Sequence, residues 1–319
     1  MKIAIVGAGS LGSVFGGVLT SGGSEVYLIS RNRDHIDWVS QNGLTLIEDS
    51  GEMLTRPYVT DDADSVGFVD LVILLVKSFD TRTAMTDSAG LVGPGTTVLS
   101  LQNGLGNEDV LVELFGQSRV LFGRTFVGGD AVAPGRIVTG LKGKPTIIGE
   151  LNGKISVRSS EISELFNASG LKTEISQNIL GVIWNKLLVN VSTGALAGIT
   201  GLSYGYLYQV PALLETAMAA VNEGIAIARA RGITLISQDA EAIWLSAGQG
   251  QPASFRTSIL QSLDRKSKTE IDFINGALVR LGEEMGIATP VNRTLVACVK
   301  ALEYRSATGR ASGSQSKTL

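Results

Sequence analysis

Two groups of residues in this 319-residue chain have the types and spacing to do chemistry. The first centres on Lys186, in the segment GVIWNKLLVNVSTGALAG, residues 181–198. An ammonium group stands there among Ile183, Trp184, Leu187, Leu188 and Val189, with no acid nearby in the chain. Residues four apart share a helix face, so Lys186, Asn190 and Gly194 form one stripe, with Thr193 beside it. The stripe offers an amine, an amide and a gap on a helix that is otherwise apolar. Desolvation disfavours a charged lysine and makes it a proton donor near neutral pH. The same stripe equally suits a lysine whose stem covers apolar surface while its charge reaches water. The second group is Gly7, Gly9 and Gly12 in GAGSLG, spaced G-x-G-x-x-G. Glycines in that pattern let a turn tighten, a backbone approach a pyrophosphate and a helix sit close to a sheet. The helix N-terminus then favours the negative charge.

The elements that must hold these glycines are legible around them. Ile3 to Val6 is a short apolar run suited to a buried parallel strand, and Val14, Phe15, Val18 and Leu19 have helical spacing. Glu25 to Ile29 is a second strand. The strand–loop–helix–strand order makes a weak motif strong, and it assigns Gly7, Ala8, Gly9, Ser10, Leu11 and Gly12 to cofactor binding. Sites that prefer NAD usually end the second strand with an acid. This chain has SRNR instead, residues 30–33. A guanidinium at Arg31 suits the 2′-phosphate of NADP, so NADP(H) is the expected cofactor. The competing reading makes Arg31 and Arg33 solvated loop charges. Two further strands, Leu71–Val76 and Val98–Leu101, end at Lys77 and at Gln102-Asn103-Gly104. Ligands of open parallel sheets lie at such strand ends, which brings Lys77 and Asn103 to the cofactor. A solvated lysine and an Asn-Gly turn are the plainer alternatives.

The segment GRIVTGLKGKPTIIGE has two apolar runs joined by Gly and Lys, which predicts a hairpin-like closing of the sheet. SSEISELFNASG predicts a helix capped by Ser159 or Ser160 and stopped at Gly170, and LKTEI a last strand. From about Asn178 the pattern becomes long helices. One starts near Pro211 and ends before Gly232, another is closed by Gly286, and a final one runs from about Arg293 to Glu303. The expected layout is an NADP-binding domain over 1–177, a helical substrate and catalytic domain over 178–305, and a flexible polar tail over 306–319.

Composition bounds the partners. Hydrophobic residues make up 44% of the chain and charged residues 18%, which places it among globular proteins with a large core. The net charge of -3 comes without a basic run, so a small-molecule partner is expected and a nucleic acid is not. With one cysteine, Cys298, and one histidine, His35, neither an internal disulfide nor a Cys/His metal site is expected. The single cysteine fits a cytoplasmic location. Lys2 and the apolar stretch after it superficially match a secretory signal, but GAGSLG interrupts the apolar run at once. No run of about 20 uninterrupted apolar residues is present, so no membrane span is expected.

Taken in order, GAGSLG with SRNR, the strand ending at Lys77, QNGLG, WNKLLVN and KSKTEIDFINGALV resemble the ketopantoate reductase family over nearly the whole chain. The resemblance implies an α/β Rossmann-type N-terminal domain followed by an all-α C-terminal domain. It implies NADPH-dependent reduction of 2-dehydropantoate to (R)-pantoate, on the way to coenzyme A, with the nicotinamide facing a cleft between the domains. By resemblance Lys186 is the general acid. Glu270 orients the lysine and a substrate hydroxyl, Asn103 and Asn190 hold cofactor or substrate, and Ser258 lies near the substrate carboxylate. Two positions depart from the family pattern: Gly194 and Phe255 stand where asparagines are often found. Lost polar partners near a hydroxylated acid suggest a more apolar 2-oxo acid as an alternative substrate. A non-catalytic NADP-binding sensor would need neither Lys186 nor Glu270. A helical second domain is compatible with a homodimer.

Overall fold

The computed structural model describes residues 1–308. The chain divides into two compact units, Met1–Ile183 and a second from Trp184 onward. The strands of the first unit are β1 (Lys2–Val6), β2 (Glu25–Ile29), β3 (Leu44–Glu48), β4 (Gly51–Thr55), β5 (Tyr58–Thr60), β6 (Leu71–Leu74), β7 (Thr97–Ser100), β8 (Val120–Thr125), β9 (Gly129–Ala133), β10 (Arg136–Thr139), β11 (Thr146–Gly149) and β12 (Thr173–Ile175). Its helices are α1 (Ser10–Ser21), α2 (Arg33–Asn42), α3 (Thr81–Asp87), α4 (Asn107–Phe115) and α5 (Val157–Ala168).

Eight strands form one sheet in the order β12-β11-β8-β7-β6-β1-β2-β5, parallel except for the β8–β11 pair. The chain runs outward from β1 through β2 to β5, then restarts on the other side of β1 with β6, β7 and β8. The strand order therefore reverses beside β1, where open α/β sheets bind ligands. β1 reads as a continuous apolar run because both its faces are buried. Ile3 and Ile5 join one core with Phe15, Val18 and Leu19 of α1, while Ala4 and Val6 join another with Val72, Leu74 and Val98.

A second sheet, β4-β3-β10-β9, contributes Leu44, Leu46 and Ile137 to the α1 core. This corrects the expected hairpin. β10 pairs in parallel with β3 and antiparallel with β9, whereas β11 pairs with β8 in the larger sheet. The runs at 136–139 and 146–149 thus serve different sheets. β6 also ends at Leu74, two residues earlier than expected. Leu75 N–H still donates to the Val6 carbonyl at 2.9 Å, but the chain then meets the glycine loop. α5 starts earlier than expected too. Ser156 is its N-cap, in a capping box closed by the Ser159 hydroxyl.

The remaining helices are α6 (Ile179–Thr200), α7 (Tyr204–Leu207), α8 (Pro211–Ala230), α9 (Ala240–Gly248), α10 (Ser258–Asp264), α11 (Asn275–Met285) and α12 (Pro290–Thr308). The division between units falls inside α6. Its first turn, through Ile179, Val182 and Ile183, belongs to the core of the first unit. By length and hydropathy alone α6 could cross a membrane, yet 72% of its most apolar window is buried in protein, the condition of a core helix. In the second unit Leu188 packs with Val221, Ile225, Ala240 and Ile243. Helix α12 continues to Thr308, so 306–308 are helical where a tail was expected; the rest of that tail lies outside the described residues.

Candidate active site

In the first unit the expected cofactor residues collect at the carboxyl ends of neighbouring strands. Gly7 has φ +100°, and a Cβ there would lie 2.5 Å from the Val76 nitrogen, so only glycine lets the loop pass the end of β6. A Cβ on Gly12 would come within 2.2 Å of the Gly7 carbonyl oxygen. Gly9 differs, because nothing lies within 4 Å of its Cβ position. The cradle is open at the residue expected to face a ligand. Gly9 is also the N-cap of α1, with no side-chain cap and no acid in the first turn. The N–H groups of a helix's first turn lack intrahelical partners and favour an anion. Those of Gly7 and Ala8 both donate to the Ile29 carbonyl at 3.1 Å, so their part is to shape the loop. The Ser10 hydroxyl accepts from Ala131 N–H at 3.1 Å, which ties the start of α1 to β9.

Arg31 follows β2 and is exposed, with one guanidinium nitrogen 3.0 Å from Asp80. Arg33 pairs with Asp61. Lys77 is exposed and precedes the 3₁₀ turn Ser78–Asp80. Asn103 is half-buried, and its carbonyl accepts from the Ser78 hydroxyl at 3.0 Å and from Asn107 Nδ2 at 2.8 Å. A polar web knits the ends of β6 and β7 together. Gln102 Nε2 donates to the Val76 carbonyl at 3.0 Å and to the Thr81 hydroxyl at 2.8 Å. Thr81 in turn donates to Asn107 Oδ1 at 2.8 Å.

Sequence reasoning missed the charged group under this loop. Arg124 of β8 is 1% exposed. It donates to buried Glu108, to the Gly104 carbonyl at 2.8 Å and to the Gly123 carbonyl at 2.7 Å. The one signal was an arginine inside the strand VLFGRT; its acid lies 16 residues earlier.

The second unit carries the other candidates. Lys186 and Asn190 are half-buried on one stripe of α6, and Gly194 is buried. Gly194 is not a gap. A Cβ there would lie 3.1 Å from Ile259 Cδ1, and one on Gly198 2.8 Å from Ile259 Cγ2. The two glycines let α10 pack closely on α6, which fills the space expected to be open. Ser258 is the first residue of α10, exposed, and preceded by the cap Thr257. Phe255 packs on Tyr204 with ring centroids 4.8 Å apart. The Tyr204 hydroxyl lies 3.2 Å from that of Thr193, and burial raises its pKa.

Glu270 is 5% exposed, a burial that glutamates seldom have. It precedes the 3₁₀ turn Ile271–Phe273 rather than lying in a long helix. Its segment is fastened to α6 by Asn275, whose Nδ2 donates to the Val191 carbonyl at 3.4 Å and to Asn292 Oδ1 at 2.9 Å. Asn292 donates to Glu223, which also caps the backbone at Val291 and Asn292. Asn275 and Asn292 are fully buried, and neither was singled out from the sequence.

Comparison with known proteins draws these observations together. The family described as Ketopantoate reductase PanE/ApbA matches residues 3–153, and Ketopantoate reductase PanE/ApbA C terminal matches residues 178–303. A 2-dehydropantoate 2-reductase of Halobacterium salinarum is 34% identical over 301 residues, covering 94% of this chain and 98% of that protein. The crystal structure of a PanE/ApbA family ketopantoate reductase from Ralstonia eutropha JMP134 superposes with a TM-score of 0.88 at 33% identity, covering 96% of this chain and all of that one. D-mandelate dehydrogenase, in a ternary structure with NADH and anilino(oxo)acetate, superposes with a TM-score of 0.90 at 27% identity, over 96% of this chain and 99% of that one. Matches that run from the first strand to the last helix, against relatives spanned almost end to end, establish that this chain belongs to the ketopantoate reductase PanE/ApbA family.

Proposed function

We propose that this protein reduces 2-dehydropantoate to (R)-pantoate with NADPH, as a cytoplasmic enzyme of pantothenate and coenzyme A biosynthesis. The observation that carries the reading is the 34% identity, over 94% of the chain, to a 2-dehydropantoate 2-reductase.

The residues present fit a pyridine dinucleotide. The open cradle at Gly9 and the uncapped N-terminus of α1 suit a pyrophosphate, held by the N–H groups of Gly9, Ser10, Leu11 and Gly12. Gly7 and Ala8 shape that loop. Arg31 takes the 2′-phosphate, and Lys77 and Asn103 line the cofactor from the ends of β6 and β7. Bound there, the cofactor supplies a hydride to the substrate carbonyl carbon. Lys186 holds its proton toward the carbonyl oxygen, stabilises the charge that develops there and then transfers the proton. Glu270 orients Lys186 and a substrate hydroxyl. Asn190, Asn103 and Ser258 bind the rest of the acid.

The packing also weakens the case for a more apolar substrate. Ile259 already covers Gly194, and Phe255 is committed to Tyr204, so both departures are absorbed by neighbouring side chains. The test is steady-state NADPH oxidation with 2-dehydropantoate beside a panel of 2-oxo acids, including an aryl one. Preference for 2-dehydropantoate is expected. A faster aryl or alkyl 2-oxo acid would reassign the substrate.

A further inference from the structure

The two residues of the Arg31–Asp80 pair come from opposite sides of the glycine loop. Arg31 follows β2 and Asp80 follows β6, and both strands flank β1 in the sheet. The pair therefore spans the end of β1, the strand that leads into the loop of Gly7 and Gly9. Asp80 precedes α3 at its N-cap, where an aspartate ordinarily accepts from the helix N–H groups. It makes no such bond, and its carboxylate goes to Arg31 instead, at 3.0 Å. The Arg31 side chain is 74% exposed and that of Asp80 30%. An exposed pair of this kind is weak, so a ligand can displace either partner.

We propose that Asp80 is a selectivity residue for the nucleotide, holding back the preference for NADPH that Arg31 alone would give. This rests on the reading that Arg31 faces the 2′ position. A 2′-phosphate must take Arg31 from Asp80 and then lie beside a carboxylate of like charge. A 2′-hydroxyl faces no such conflict and can donate to the Asp80 carboxylate, the role an acid plays at the end of the second strand in sites that take NAD. The pair thus equips one site for both nucleotides. Asp61 beside Arg33 adds a second carboxylate near the end of β2.

Equilibrium dissociation constants for NADPH and NADH, read by nucleotide fluorescence, test this without any assumption about substrate. Asp80→Asn and Asp80→Ser should each raise the preference for NADPH over NADH roughly two- to fivefold, the scale of an exposed charge interaction. In an Arg31→Ala background the competition for the guanidinium is gone, so the same substitutions should raise the preference by less than they do in the native chain, leaving only the like-charge and hydroxyl contributions. If Arg31→Ala weakens both nucleotides equally, the reading of Arg31 and the role of Asp80 fall together. If Arg31→Ala acts selectively on NADPH but neither Asp80 variant moves the preference, the Asp80 proposal alone is overturned.

Discussion

Arg124 donates to Glu108 in a buried pair, and the same guanidinium holds the Gly104 carbonyl at 2.8 Å. One side chain thus fixes both the start of α4 and the loop that presents Asn103. Removing one member of such a pair strands a buried charge, which costs about 3–5 kcal/mol. Arg124→Met and Glu108→Gln should each lower the urea midpoint strongly. The double substitution Arg124→Met/Glu108→Leu should recover much of the loss, because it removes both charges together.

Lys186 carries the proposed proton transfer. Lys186→Ala should lower kcat roughly a hundred- to ten-thousandfold, the usual range for general acids, while nucleotide affinity changes little. Near-normal turnover would remove Lys186 from that role. Glu270→Gln should lower kcat in the same direction and also raise the KM of the hydroxylated acid.

Gly194 faces Ile259. Asparagine at 194 must displace a side chain from a packed seam, and overpacking of this kind costs about 1–3 kcal/mol. Gly194→Asn should lower the thermal midpoint, and Ile259→Ala in the same chain should restore part of it. A neutral single substitution would show that α10 yields easily.

His35 is buried with Nδ1 accepting from Gly135 N–H at 3.4 Å, so its proton sits on Nε2, 3.2 Å from the Ser13 hydroxyl. Burial lowers its pKa below the ordinary 6.5. The fold prefers the neutral ring, so this contribution to stability is complete above 6.5 and is lost as pH falls toward the lowered native value. The loss is at most about 1.4 kcal/mol per pH unit. Urea midpoints followed from about pH 8 to 5 should show it in the native chain and not in His35→Asn.

The parts legible in the sequence were those with local causes. β1, the glycine loop, α1 and β2 follow one another within 29 residues, and each is announced by its own spacing. α6 was legible as a buried helix with a polar stripe. Pairing across long separations was not. β10 lies beside β3, about 90 residues back in the chain, and nothing in IVT distinguishes that partner from β11. The burial of Glu270, the Arg124–Glu108 pair and the closing of Gly194 by Ile259 depend in the same way on which segments meet. The residue type and position of Arg31 raise the expectation of a phosphate ligand, but Asp80 reaches it from 49 positions away.

The first turn of α6 has a consequence for synthesis on the ribosome. Ile179, Val182 and Ile183 complete the core that contains Val72, Leu74 and Val98. A nascent chain that has emerged only as far as Ile175 has every strand of the larger sheet, yet its hydrophobic interior still lacks those three side chains. The nucleotide-binding half must therefore wait, partly unsealed, until the beginning of the next unit leaves the exit tunnel. A fragment cut at 177 for expression would keep that wound permanently, whereas one ending at Ile183 would close it.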